Sequence, residues 1–170
     1  MQHTTLGRTG IEVSVAGLGC GGHSRLGQSY GATEAESVAV IHRALDLGIN
    51  LVDTAQVYGT ESIVGKAIRR RRDDVVLSTK ALPMHKGRPL RPKQLRRSVE
   101  KSLKRLRTDH VDLFFVHGMQ VRDLHHTREV LVPELLAMQD DGLVRHLAAS
   151  EAVTAGAARW GARASPAPGP

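Results

Sequence analysis

Four residues have types and positions that suit proton transfer: Asp53, Tyr58, Lys80 and His117. Each follows an apolar run that reads as a β-strand. Asp53 and Tyr58 lie in Asn50-Leu-Val-Asp-Thr-Ala-Gln-Val-Tyr-Gly59. Lys80 closes Val75-Val-Leu-Ser-Thr-Lys80, and His117 closes Val111-Asp-Leu-Phe-Phe-Val-His117. A free phenol titrates near pH ~10, and a nearby ammonium favours its charged form. A carboxylate can hold that ammonium charged and oriented, and an imidazole can hydrogen-bond a substrate oxygen. Singly, each residue has a plainer role: a loop cap, a packed ring, a surface charge, a satisfied strand-end imidazole. Four at successive strand ends point to one site.

Such a site needs a scaffold, and the sequence supplies alternating elements. Thr4–Leu6 and Ile11–Val15 flank Gly7-Arg-Thr-Gly10 and predict a β-hairpin. Val15–Cys20 reads as a buried strand leading into a Gly-rich loop. Thr33 and Glu36 predict a capping box. Val38, Ile41 and Leu45 then share a helix face that ends near Gly48. Ile49–Asp53 is a strand. Residues 61–70 read as a helix with Ile63, Val64, Ala67 and Ile68 inward, followed by a strand at Val75–Thr79. Pro92 suits a helix start, with Leu95, Val99, Leu103 and Leu106 on its apolar face. Val111–Val116 is a strand, Leu131, Leu135 and Met138 mark a helix, and Val144–Ser150 is a fifth strand. This alternation predicts βαβ units, a parallel sheet and right-handed crossovers.

Two architectures use that alternation, the open doubly wound sheet and the closed (β/α)₈ barrel. Gly17-Leu-Gly-Cys-Gly-Gly22 formally matches GxGxxG. A dinucleotide fingerprint, however, opens a helix within its glycines, and here His23–Gly31 intervenes. The match reads as coincidental. Residues gathered from several strand ends fit the C-terminal mouth of a barrel.

The chain has 170 residues, 41% of them hydrophobic, enough for one domain with a core. No stretch approaches the roughly 18 apolar residues of a membrane span. Cys20 is the sole cysteine and reads as a small core residue. With no signal pattern at the N-terminus, the expectation is a cytoplasmic protein. The net charge is +7, much of it in Arg69–Arg72 and around Arg96, Arg97, Lys101, Lys104 and Arg105. These runs read as solvated helix faces. Aromatic residues are 3% of the chain, which leaves little to stack on bases and weighs against nucleic acid. His125-His126 reads as a loop or surface pair and no metal site is expected.

The sequence resembles the aldo-keto reductase family. The resemblance rests on Leu6-Gly-Arg-Thr-Gly10, residues 48–59, Ser78-Thr-Lys80, residues 102–113, His117 and Asp141-Gly-Leu-Val-Arg145 through Ser150. It implies a TIM barrel plugged at its base by an N-terminal hairpin, with NADP(H) across its mouth and a small-molecule carbonyl as substrate. It also implies that Asp53, Tyr58, Lys80 and His117 are the catalytic tetrad. Gly21, Gly22, Asp53, Ser150 and Glu151 fall where the family holds the nicotinamide end of the cofactor. Glu151 stands where the family often has Asn.

A TIM barrel typically needs about 250 residues. The resemblance ends near Glu151, so residues 1–151 are expected to form an incomplete barrel of about five strands with its hairpin. Residues 152–160 read as a short helix, and 161–170 as an Ala/Pro/Gly-rich disordered tail. The expectation is a truncated member whose cofactor binding is impaired and whose open edges invite self-association. Three other readings stay open on the sequence: a non-catalytic binding or regulatory protein, a gene fragment, and an anion or nucleic-acid binder using Arg69–Arg72.

Overall fold

The computed structural model describes residues 1–151. The helix and tail expected beyond Glu151 lie outside the described residues. Strands β1 (His3–Thr5) and β2 (Glu12–Ser14) form the N-terminal antiparallel hairpin. Strands β3 (Gly17–Gly19), β4 (Leu51–Asp53), β5 (Val76–Ala81), β8 (Val111–Met119) and β9 (Val144–Glu151) form one sheet. Between β5 and β8 a small hairpin, β6 (Met84–His85) with β7 (Arg88–Pro89), occupies part of what the sequence presents as a loop. Its turn, Lys86-Gly87, is too short and polar to show a strand period.

Sheet order separates the two architectures. The strands run β3-β4-β5-β8-β9, every neighbour parallel and in chain order. A doubly wound sheet reverses direction at a switch point; this one does not. Right-handed crossovers in constant order put every helix on the same face. The helices are α1 (Glu34–Asp46), α2 (Glu61–Ile68), α3 (Pro92–Leu106) and a last run built from α4 (Leu124–His126), a π turn (Thr127–Leu131) and α5 (Val132–Asp140). The result is part of a (β/α)₈ barrel, and the other sheet face is the barrel interior.

The expected helix faces are the buried ones. Ile63, Val64, Ala67 and Ile68, then Leu95, Val99, Leu103 and Leu106, then Leu131, Leu135 and Met138 pack against Val52, Leu77 and Phe114 of the sheet. Thr33 and Glu36 make the capping box of α1. The π turn has a local cause. Pro133 has no N–H to bond the carbonyl of Glu129, and its ring crowds it. The Val132 N–H reaches back five residues to Thr127 instead. At the base, Asn50 clamps the hairpin: its Oδ1 accepts from Ser14 N–H at 2.7 Å and its Nδ2 donates to the Glu12 carbonyl at 3.0 Å. Asp112, buried, accepts from Arg72 at 2.8 Å, Arg145 at 2.9 Å and the Leu77 N–H at 2.9 Å, tying β5, β8 and β9 together.

The Arg69–Arg72 run is partly spent inward. Arg71 pairs with Asp46 and Asp74, and Arg72 binds Asp112 and the carbonyls of Val75 and His110. Among the described residues no helix is long and apolar enough to cross a membrane.

Candidate active site

The four singled-out residues converge at the C-terminal end of the sheet. Asp53 is the last residue of β4 and Lys80 lies near the end of β5. The Lys80 ammonium donates to Asp53 Oδ1 at 2.6 Å, to Oδ2 at 2.5 Å and to the Thr54 carbonyl at 3.0 Å. It is 7% exposed. A buried ammonium needs such partners, because an unpaired one is expensive to desolvate. The nitrogen sits 5.2 Å from the centroid of the Tyr58 ring and 5.7 Å from that of Phe115.

Tyr58 sits on a 3₁₀ turn, Gln56–Tyr58, that ends at left-handed Gly59. Gln56 anchors the turn to α3 through Ser98 and Ser102, and Arg25 donates to the Tyr58 carbonyl at 2.7 Å. His117 meets the Tyr58 ring edge-on, centroids 5.7 Å apart at 87°. The sequence presents His117 as a strand end, but β8 continues to Met119 because β9 pairs with it as far as Met119 and Glu151. The register shifts between Val116 and Met119. Bulges of that kind re-aim side chains beside functional sites.

The imidazole of His117 titrates below its ordinary value of 6.5. Burial is the main cause, the Lys80 charge adds to it, and Asp53 opposes it. His117 is therefore neutral at pH 7. Its Nδ1 is buried without a hydrogen-bond partner among the described residues, so a polar ligand or an ordered water would satisfy it. The unfolded chain takes up a proton as pH drops below 6.5 while the folded chain still declines it, so stability should fall from there down to the folded midpoint. An NMR titration of the ring should give a midpoint below 6.5, and Lys80→Met should move it up.

The expected cofactor contacts lie at the same end. Gly22 follows β3 with φ +67° and open space where a Cβ would stand. Ser150 accepts from the Gly118 N–H at 3.1 Å, and Glu151 closes β9, exposed. Gly21 has a different neighbour: a Cβ there would come within 2.6 Å of the Tyr58 ring. Its missing side chain makes room for the tyrosine. Gly21→Ala should displace the ring and lower any Tyr58-dependent activity by about tenfold or more, with Gly19→Ala, which has open space at its Cβ position, as comparison and phenol-dependent turnover as the readout.

Sequence reasoning missed the supports. Ser78 donates to Asp53 Oδ1 at 2.7 Å. Glu61, 1% exposed, accepts from Thr79 at 2.6 Å and from Arg105 Nε at 2.6 Å, bracing the residue before Lys80. Thr79 faces outward by strand alternation, and an outward threonine followed 26 residues on by an arginine has no motif to flag it. His126, one of the adjacent pair, bonds the Leu90 carbonyl at 2.8 Å. The Cys20 thiol is pushed up to about 12, chiefly by burial and then by Asp53. It stays a protonated core group beside the site.

The model of the Aldo/keto reductase family matches residues 18–161. The chain belongs to the aldo/keto reductase family. Among its relatives is the aldo-keto reductase YhdN of Bacillus subtilis, 45% identical over 127 residues, 69% of this chain and 38% of that protein. The aldo-keto reductase AKR11C1 from Bacillus halodurans, solved in a holo form, superposes with TM-score 0.74 at 29% identity, over 89% of this chain and 50% of that one. An aldo-keto reductase from Klebsiella pneumoniae, solved in complex with NADPH, superposes with TM-score 0.67 at 30% identity, over 84% and 47%. The chain thus spans about half the length or less of the family members it matches.

Proposed function

We propose that this aldo/keto reductase chain carries the proton-transfer site of an NADPH-dependent reduction of an aldehyde or ketone to an alcohol, in the cytoplasm. One observation supports it most: the Lys80 ammonium, held by Asp53, lies 5.2 Å from the Tyr58 ring, with His117 against the same ring. A nicotinamide held there would supply the hydride, two electrons, for the carbonyl carbon. Tyr58 gives its proton to the carbonyl oxygen. The Lys80 charge stabilises the negative charge this leaves on the phenol oxygen, and solvent later restores the proton. Asp53 keeps Lys80 charged and oriented. Neutral His117 donates a hydrogen bond to the carbonyl oxygen and fixes its approach. Gly22, Asp53, Ser150 and Glu151 would hold the nicotinamide end. The cofactor fits the backbone at Gly22, where open space lets a ligand approach closely.

The second part of the proposal is that this chain, taken alone, holds NADPH weakly. The family resemblance implies that the grip on the cofactor's phosphates lies in the part of the barrel that this chain does not span; each charge-assisted contact is worth about 1.5–3 kcal/mol, so lacking several weakens binding by orders of magnitude. A nicotinamide fluorescence titration of the purified chain tests both parts. Saturable but weak NADPH binding with slow aldehyde-dependent oxidation is the expected result. Binding with no turnover at saturation favours the non-catalytic alternative.

A further inference from the structure

We propose that the groove between the β6–β7 hairpin and the start of α3 binds a phosphate-bearing small molecule. This goes beyond the reductase reading and does not depend on it. The groove measures about 700 Å³ and is lined by His85, Lys86, Arg88, Leu90, Arg91 and Gln94, among others, with no carboxylate. From Ala81 to Val99 the sequence carries six lysines and arginines and no aspartate or glutamate. Arg71, Arg72, Arg96, Arg105 and Arg145 all spend their charge on carboxylates. Lys86, Arg88 and Arg91 pair with none among the described residues. Three unpaired cations round one concavity repel one another, and a polyanion relieves that repulsion.

The cations are mounted on a tethered frame. The Leu90 N–H donates to the Pro83 carbonyl at 2.9 Å, and the Leu90 carbonyl accepts from His126 at 2.8 Å. Leu90 itself is buried. His85 pairs with Arg88 across a two-residue turn, Lys86-Gly87, with φ of +49° and +73°. Such turns favour Asn or Gly at their first position. A lysine there holds its ammonium at the tip of the hairpin despite a strained backbone. Arginine forks match phosphate oxygens bidentately and lysine adds a point charge. A phosphate dianion uses three cations better than a single carboxylate does.

The groove adjoins the active-site rim. A smaller cavity of about 230 Å³, lined by Gln56, Val57, Leu82 and Met84, shares His85 and Leu90 with it. The phosphate could therefore belong to the far end of a carbonyl substrate or to a separate anion.

Calorimetric titration of the full chain with sodium pyrophosphate, at constant ionic strength against chloride, tests the site. Saturable one-to-one binding is expected, weakened about tenfold or more in Arg88→Gln/Arg91→Gln and unchanged in Arg97→Gln. Circular dichroism checks that each variant folds; if the double variant does not, Lys86→Gln on the hairpin tip replaces it. A phosphate-bearing aldehyde whose KM rises in the variant, while an uncharged aldehyde's does not, assigns the phosphate to the substrate. Pyrophosphate binding with both KM values unmoved assigns it to a separate ligand. No saturation, equal binding by the double variant, an equal loss in Arg97→Gln, or displacement by duplex DNA with a steep salt dependence overturns the proposal.

Discussion

Tyr58→Phe should lower turnover by about 10²- to 10⁴-fold, the range that a positioned general acid contributes, while NADPH affinity stays unchanged. The substitution is selective because phenylalanine keeps everything but the hydroxyl. The ring still fills the space left by Gly21, still meets His117 edge-on and still faces the Lys80 ammonium. Only the hydroxyl goes. Single-turnover oxidation of saturating NADPH by an aldehyde separates chemistry from binding. A variant that turns over like the parent would remove Tyr58 from the mechanism. A parallel loss of NADPH affinity would make the ring structural instead.

Arg105→Met should destabilise the fold by about 3 kcal/mol, the lower end of what breaking a buried ion pair costs. Arg105 is 40% exposed at its side chain, so its own desolvation is modest. The cost comes from Glu61, whose side chain is 1% exposed. Without the guanidinium its Oε2 loses a 2.6 Å partner, and among the described residues the carboxylate keeps only Thr79. Denaturant unfolding measures the loss. Glu61→Gln combined with Arg105→Met should recover part of it, because no stranded charge is left. A single-variant loss below about 1 kcal/mol would mean that the pair behaves like a surface bridge.

Helix periodicity carried most of the fold. The apolar stripes of α2 and α3, with Leu135 and Met138 of α5, are buried, since each amphipathic stripe has one sheet face to cover. The choice between barrel and open sheet needed strand order, which no local pattern encodes. Residues whose own type and strand position single them out, such as Asp53 at the end of β4 and Lys80 near the end of β5, could be placed from the sequence. Those that act by neighbourhood could not. Glu61 looks like an ordinary first-turn acid, and only tertiary contact reveals it buried between Thr79 and Arg105. Gly21 looked like a backbone approach point for a ligand, and its nearest neighbour is a tyrosine ring. His117 lies against Tyr58 near the C-terminal end of β8, but the register shift that carries β8 on beyond it depends on pairing with β9.

The proposed proton transfer from Tyr58 is worth little unless hydride moves at the same place. The decisive measurement incubates this chain with NADPH carrying deuterium at the transferable nicotinamide position, at cofactor saturation, with an aldehyde, and weighs the alcohol by mass spectrometry. Alcohol one mass unit heavier, formed by the parent and not by Tyr58→Phe, is the expected result. Unlabelled alcohol, or none from a chain shown to hold the cofactor, would contradict the account.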